Sequence, residues 1–265
     1  MITALGGVFI KAKDPKFLAR WYEDNLGIGF GTTVYFSFKW RELNSPDDIS
    51  HTVFSFFKDD TTYMYPSDSD VMVNLRVSNL DDLRIQLKND GVNVIDKIET
   101  YEYGRFGWAM DPAGYKIELW EPIDDGFEER NKPMHLKDVT NLGGIFLKYP
   151  DPEAMMKWYS KQFGLFFSYS SHTFQWKDLN DQKHTGHSVL SFFKQSSSYF
   201  EPSNKNFMLN FRVANLDELL KELRKSEVHV FEKTEEFEYG KFGWLLDPEG
   251  NKIELWEPVD EKFVF

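Results

Sequence analysis

Phe106-Gly-Trp-Ala-Met-Asp-Pro-Ala-Gly-Tyr-Lys-Ile-Glu-Leu-Trp-Glu-Pro122 returns later in the chain as Phe242-Gly-Trp-Leu-Leu-Asp-Pro-Glu-Gly-Asn-Lys-Ile-Glu-Leu-Trp-Glu-Pro258. Each copy reads as two alternating strands joined by an Asp-Pro-x-Gly turn. A duplication of this length marks an internal repeat. The openings repeat as well: Gly6-Gly7-Val8-Phe9-Ile10-Lys11, Asp14-Pro15 and Trp21-Tyr22 match Gly143-Gly144-Ile145-Phe146-Leu147-Lys148, Asp151-Pro152 and Trp158-Tyr159. Residues 1–125 and 139–265 are therefore read as two tandem domains, which suits a chain of 265 residues. Gly126 to Asp138, charged and containing Pro133, reads as the linker.

Within one copy, Val8 and Ile10 alternate with Phe9 and Lys11 as a strand does, and Asp14-Pro15 opens a helix in the cap-then-proline order. Phe17, Leu18, Trp21, Tyr22 and Leu26 give that helix its apolar stripe, and Gly27 is placed to end it. Strands are expected at residues 33–39 and 51–57. The second half repeats the order, with a strand at Val71–Val77 and a helix capped by Asn79 or Asp81, carrying Leu80, Leu83 and Leu87 and stopped by Gly91. Strands follow at Glu99–Tyr103, Phe106–Met110 and Tyr115–Trp120. The fold class is α+β, each domain being a pair of βαβββ modules.

Composition narrows the function classes. Hydrophobic residues make up 41% and aromatics 17% of the chain, enough for each half to bury its own core. A net charge of −12 disfavours nucleic acid and anionic membranes as partners, because both repel an acidic surface. The absence of cysteine removes disulfides, thiolate catalysis and Cys-ligated zinc, and fits a reducing compartment. The start Met1-Ile2-Thr3-Ala4 lacks a signal peptide's basic and apolar regions, and no apolar run is long enough to span a bilayer, so the expected location is the cytoplasm.

The paired modules, the opening strand running into Asp-Pro and a Trp-Tyr helix, and the closing Asp-Pro-x-Gly-x-x-Ile-Glu-Leu together resemble the vicinal oxygen chelate superfamily, which includes glyoxalases, extradiol dioxygenases and bleomycin-resistance proteins. The resemblance covers nearly the whole chain, twice. It implies mixed sheets curled into a ligand cup in each domain, and an organisation as a monomer with intramolecular domain pairing or as a homodimer. Metal-dependent relatives place His or Glu ligands at four strand positions. Here those positions hold Gly7, Ser55, Met72 and Glu118, and in the second copy Gly144, Ser191, Met208 and Glu254. One carboxylate cannot hold a divalent ion that takes at least three protein ligands. No metal and no cofactor are expected.

Alternation assigns Val8, Ile10, Val73, Leu75, Ile117 and Leu119 to the helix-covered face. It leaves Phe9, Asn74, Arg76, Lys116, Glu118 and Trp120 for the cup. Asn74, Arg76 and Glu118 recur as Asn210, Arg212 and Glu254. Arg76 either pairs with Glu118 across the strands or, with Asn74, donates to an oxygen of the ligand. His51 and His187, the histidines that occur at matched positions, are expected as ligand contacts or as hydrogen-bonded groups at a sheet end. Trp40 and Trp176, with Tyr103 and Tyr239, are expected at the rim for stacking, and Arg105 and Lys241 beside that wall can attract an anion. The functional expectation is a pocket protein that holds a small aromatic or amphipathic molecule. The alternative is a metal-independent lyase or isomerase using Glu118 and Glu254 as acid/base groups.

Overall fold

A computed structural model describes residues 2–124, 136 and 138–263. The first copy runs β1 (Ile2–Ala12), α1 (Pro15–Leu26), β2 (Tyr35–Arg41), β3 (Ile49–Lys58), β4 (Val71–Val77), α2 (Leu80–Asn89), β5 (Val94–Tyr101), β6 (Gly104–Met110) and β7 (Lys116–Pro122). The second runs β8 (Val139–Tyr149), α3 (Pro152–Phe163), β9 (Ser171–Lys177), β10 (Thr185–Lys194), β11 (Phe207–Val213), α4 (Leu216–Lys225), β12 (His229–Phe237), β13 (Gly240–Leu246) and β14 (Lys252–Pro258). The expected α+β class and paired modules are present. In each copy the opening module contributes three of the strands described and the closing module four. β5 starts at Val94 rather than Glu99 because Val94 and Ile95 pair with Ala109 and Trp108 of β6. The linker expected at 126–138 falls almost entirely outside the described residues.

Local chemistry sets the helix ends. Asp14 accepts from the amides of Lys16 and Phe17 while Pro15 occupies the first turn, and Gly27 closes the helix in the left-handed region at φ 64°. Asn79 caps α2 through the Asp82 amide. Leu18, Tyr22 and Leu26 form the buried stripe of α1, each such side chain contributing about 1.5–3 kcal/mol on full burial.

The strands form one sheet in the order β12-β13-β14-β11-β8-β10-β9-β2-β3-β1-β4-β7-β6-β5. β1 runs parallel to β3 and antiparallel to β4, which is itself parallel to β7. The seam between copies is the single bridge Arg41 to Lys177. The two outermost strands, β5 and β12, are both bulged. The expected helix-facing residues all lie in one apolar core that continues through both copies. The ring of Tyr22, for example, packs 5.5 Å from Phe54 and 6.0 Å from Phe211 of the second copy.

The Asp-Pro-x-Gly turn also joins the copies. One carboxylate oxygen of Asp111 accepts from the amides of Ala113 and Tyr115, and the other accepts from the hydroxyls of Tyr149 and Tyr159 in the second copy at 2.9 and 3.2 Å. Asp247 reciprocates: it holds the amides of Glu249 and Asn251 with one oxygen, and with the other takes Tyr22 Oη of the first copy at 3.0 Å and its own Asn251 amide at 2.7 Å.

Candidate functional site

β7 presents Glu118 from the centre of the first cup, and its neighbours in the sheet are fixed by register. Asn74 of β4 and Trp108 of β6 sit directly opposite it on either side. Asn74 Nδ2 donates to Glu118 Oε1 at 2.6 Å, and Trp108 Nε1 donates to Oε2 at 2.9 Å. A third donor, the Tyr63 hydroxyl, arrives at Oε2 from the β3–β4 connection. The second copy reproduces this arrangement around Glu254, with Asn210 at 2.6 Å, Trp244 at 2.9 Å and the Tyr199 hydroxyl. Burial pushes each glutamate's pKa above its ordinary value, and the three donors offset only part of that. Burial beside the carboxylate likewise raises the Tyr63 and Tyr199 phenols, so both remain protonated donors.

Lys116 stands behind this group. Its Nζ donates to the Tyr63 carbonyl at 2.5 Å and lies 5.2 and 4.9 Å from the ring centres of Tyr63 and Trp108. Its desolvation lowers its pKa.

Above the carboxylate the walls are aromatic. Near-parallel pairs recur in both cups: Phe57 with Tyr63 at 5.2 Å, Tyr101 with Tyr103 at 5.2 Å, and Phe106 with Trp120 at 5.8 Å. Their counterparts are Phe193 with Tyr199, Phe237 with Tyr239, and Phe242 with Trp256. The open cavities these walls line are about 340 and 390 Å³. The second is also lined by Tyr169 and by Phe263, the latter packed 4.8 Å from Trp256.

Of the residues expected at the site, Phe9, Asn74, Tyr103, Glu118 and Trp120 line the first cavity, and Asn210, Tyr239 and Glu254 the second. The others lie elsewhere. Arg76 does not pair with Glu118 and does not face the ligand space. Its guanidinium is held by Asp124 at 2.6 and 3.1 Å and by Ser50 at 3.0 Å, sandwiched between Trp40 and Trp120. Arg212 is likewise held by Asp260, between Trp176 and Trp256. Trp40 and Trp176 are thus buried stacking partners of arginine rather than rim residues. His51 bonds Ser37 Oγ at 2.8 Å, and His187 bonds Asp260 at 2.9 Å, both beneath the cup wall. Arg105 points away from the cup, to Asp81 and Glu121, and Lys241 to Asp217, because the alternation that aims Phe106 and Phe242 inward aims their neighbours outward.

Sequence reasoning passed over Tyr63, Trp108 and Glu99, with their counterparts Tyr199, Trp244 and Glu235. The signal was present, since Tyr63-Met64-Tyr65-Pro66 and Tyr199-Phe200-Glu201-Pro202 are matched Tyr-x-x-Pro runs.

The donor set does not fit the metal found in some proteins of this fold. Three hydrogen-bond donors converge on the glutamate. A Cβ added at Gly7 would lie 2.5 Å from the Val53 carbonyl, so no ligand side chain can stand there. Gly6, at a break in the β1–β4 register, would place a Cβ 2.0 Å from Asn74 Oδ1, so the glycine gives the asparagine its room. Among the described residues no group of three or more His, Cys, Asp or Glu is placed to hold an ion.

No known family profile matches the sequence, and no curated protein matches it. Solved structures do match in fold. Catechol 2,3-dioxygenase aligns with a TM-score of 0.58 and 19% identity over 97% of this chain and 89% of that one. The 2,2',3-trihydroxybiphenyl 1,2-dioxygenase of Sphingomonas wittichii strain RW1 gives 0.61 at 11% identity, over 97% and 91%. The Mn(II)-bound glyoxalase of Novosphingobium aromaticivorans gives 0.58 at 12% identity, over 97% and 82%. The chain therefore has the paired-module fold of the vicinal oxygen chelate superfamily, as the closing motif led us to expect. Within that fold it is a tandem protein whose two cups each centre on a glutamate held by tyrosine, asparagine and tryptophan.

Proposed function

We propose that this is a glyoxalase-like protein that binds a small aromatic or amphipathic molecule in each cup, without a metal. The observation that carries the reading is the repeated aromatic wall closing over a single buried carboxylate. Cavities of about 340 and 390 Å³ fall within the range of small-molecule sites. Binding at this site needs only shape and ring contacts, which both copies supply. The same proposal places the protein in the cytoplasm, as a monomer through pairing of its domains or as a homodimer, in keeping with its acidity and lack of cysteine. No helix among the described residues is long and apolar enough to cross a membrane.

The probe for a test is 4-tert-butylphenol, followed by titration calorimetry. The expected result is saturable binding of two molecules per chain, abolished when Ser55→Trp and Ser191→Trp together fill both cups from the β3 and β10 walls. No saturable binding, or binding indifferent to the filled cups, would overturn the proposal.

A second reading, lyase or isomerase chemistry with Glu118 and Glu254 as acid/base groups, is favoured by their raised pKa. Glu118→Gln with Glu254→Gln separates the two. The glutamine oxygen still accepts from Tyr63 and Trp108, and its amide meets Asn74 once that side chain turns its Oδ1 inward. Affinity for the neutral phenol is expected to change less than about threefold, under 1 kcal/mol, while any turnover disappears.

A further inference from the structure

Resting on the proposed cup function, we infer that the preferred ligand is a cation: an aromatic or amphipathic molecule carrying an ammonium group. Three observations on the cavity surface lead there. Among the described residues, no lysine, arginine or histidine lines either cup. Two carboxylates do line each one, Glu118 and Glu99 in the first, Glu254 and Glu235 in the second. The remaining surface is dominated by aromatic rings, whose faces attract positive charge.

The positive groups nearby are already engaged. Arg76 and Arg212 are neutralised by Asp124 and Asp260. Lys116 is held by a carbonyl and two rings, and Lys252 by the Tyr199 carbonyl at 2.6 Å and the rings around it. Glu99 sits on the wall beside Tyr101, whose hydroxyl donates to it at 2.8 Å, and it pairs at 2.5 Å with Lys97, as Glu235 does with Lys233; both lysines are largely exposed and outside the cavity lining. An arriving ammonium therefore meets acceptors and ring faces, whereas an arriving carboxylate or sulfonate meets two carboxylates and, among the described residues, no cationic side chain in the cavity lining. An anionic ligand drawn in by Arg105 or Lys241 is disfavoured on the same ground, since both side chains are bound to aspartates outside the cup.

The test compares three phenols of like size by calorimetry on the full chain: 4-hydroxyphenyltrimethylammonium, its uncharged isostere 4-tert-butylphenol, and 4-hydroxybenzenesulfonate. The ammonium is expected to bind at least about tenfold more tightly than the tert-butyl compound, and the sulfonate most weakly. Glu99→Gln with Glu235→Gln is expected to reduce ammonium affinity severalfold and to narrow its margin over the tert-butyl compound; an unchanged margin would overturn the cation assignment. Equal or tighter binding of the tert-butyl compound, or preference for the sulfonate, would overturn the cation assignment and leave the cup function standing. Failure of all three to bind would remove the cup function itself.

Discussion

Arg212→Ala is expected to destabilise the protein by about 3–5 kcal/mol, the range found when one partner of a buried ion pair is removed. The guanidinium is the filling between Trp176 and Trp256, at 5.2 and 5.0 Å, so truncation loses packing as well as charge. It also strands Asp260, a carboxylate only 5% exposed, with His184 and His187 as its remaining partners. Arg76→Ala is expected to cost less, because Asp124 is 26% exposed and water can take over part of the arginine's role. The effect depends on pH with a definite sign. Burial pushes Asp260 up, but the bonds from His187, Arg212 and His184 outweigh it and hold its pKa well below the carboxylate range. Its contribution is therefore present above about pH 4, the unfolded carboxylate value, and is lost as pH falls below it. Denaturant titrations of wild type and variant at pH 7 and pH 3 should show the gap narrowing in acid. Intact stability at pH 7 would contradict the structural role.

The second large effect is expected at the turn that joins the copies. Asp111→Ala leaves the Tyr149 and Tyr159 hydroxyls and two turn amides without their acceptor, at a cost of about 3–5 kcal/mol. Because the tyrosines belong to the other copy, calorimetry should show the whole chain melting earlier in one transition, rather than the first copy alone. Independent melting of the copies would show that the clasp does not couple them. Asp111→Asn, which keeps an acceptor, is expected to recover part of the loss. Burial dominates the Asp111 pKa and raises it above the unfolded value, so folding stability falls as pH rises through the interval between the two, opposite in sign to Asp260.

The repeat, the caps and the alternation made much of this fold legible. Asn74, Glu118 and Trp120 face the cavity as the strand period predicts, because side-chain direction in a strand follows from counting. Arg76 shows where counting stops. It shares a face with Asn74, but lies further along β4, where Trp40 from β2 and Asp124 beyond β7 enclose it; alternation gives the face and not the position along the strand. Tyr63 was hidden for another reason. It lies between strands, where no period applies, and only the folded path of residues 59–70 brings its hydroxyl to Glu118.

The two outer strands carry a consequence for how the chain behaves among its own kind. A sheet in which β2 and β9 of two copies meet edge to edge invites further copies at its free ends, as unpaired strand edges template aggregation. β5 and β12 refuse that role: each is interrupted by a bulge, and each sets charges along its length, Asp96, Lys97 and Glu99 in one, Glu232, Lys233, Glu235 and Glu236 in the other. Growth of the sheet by strand addition is thereby disfavoured at both ends.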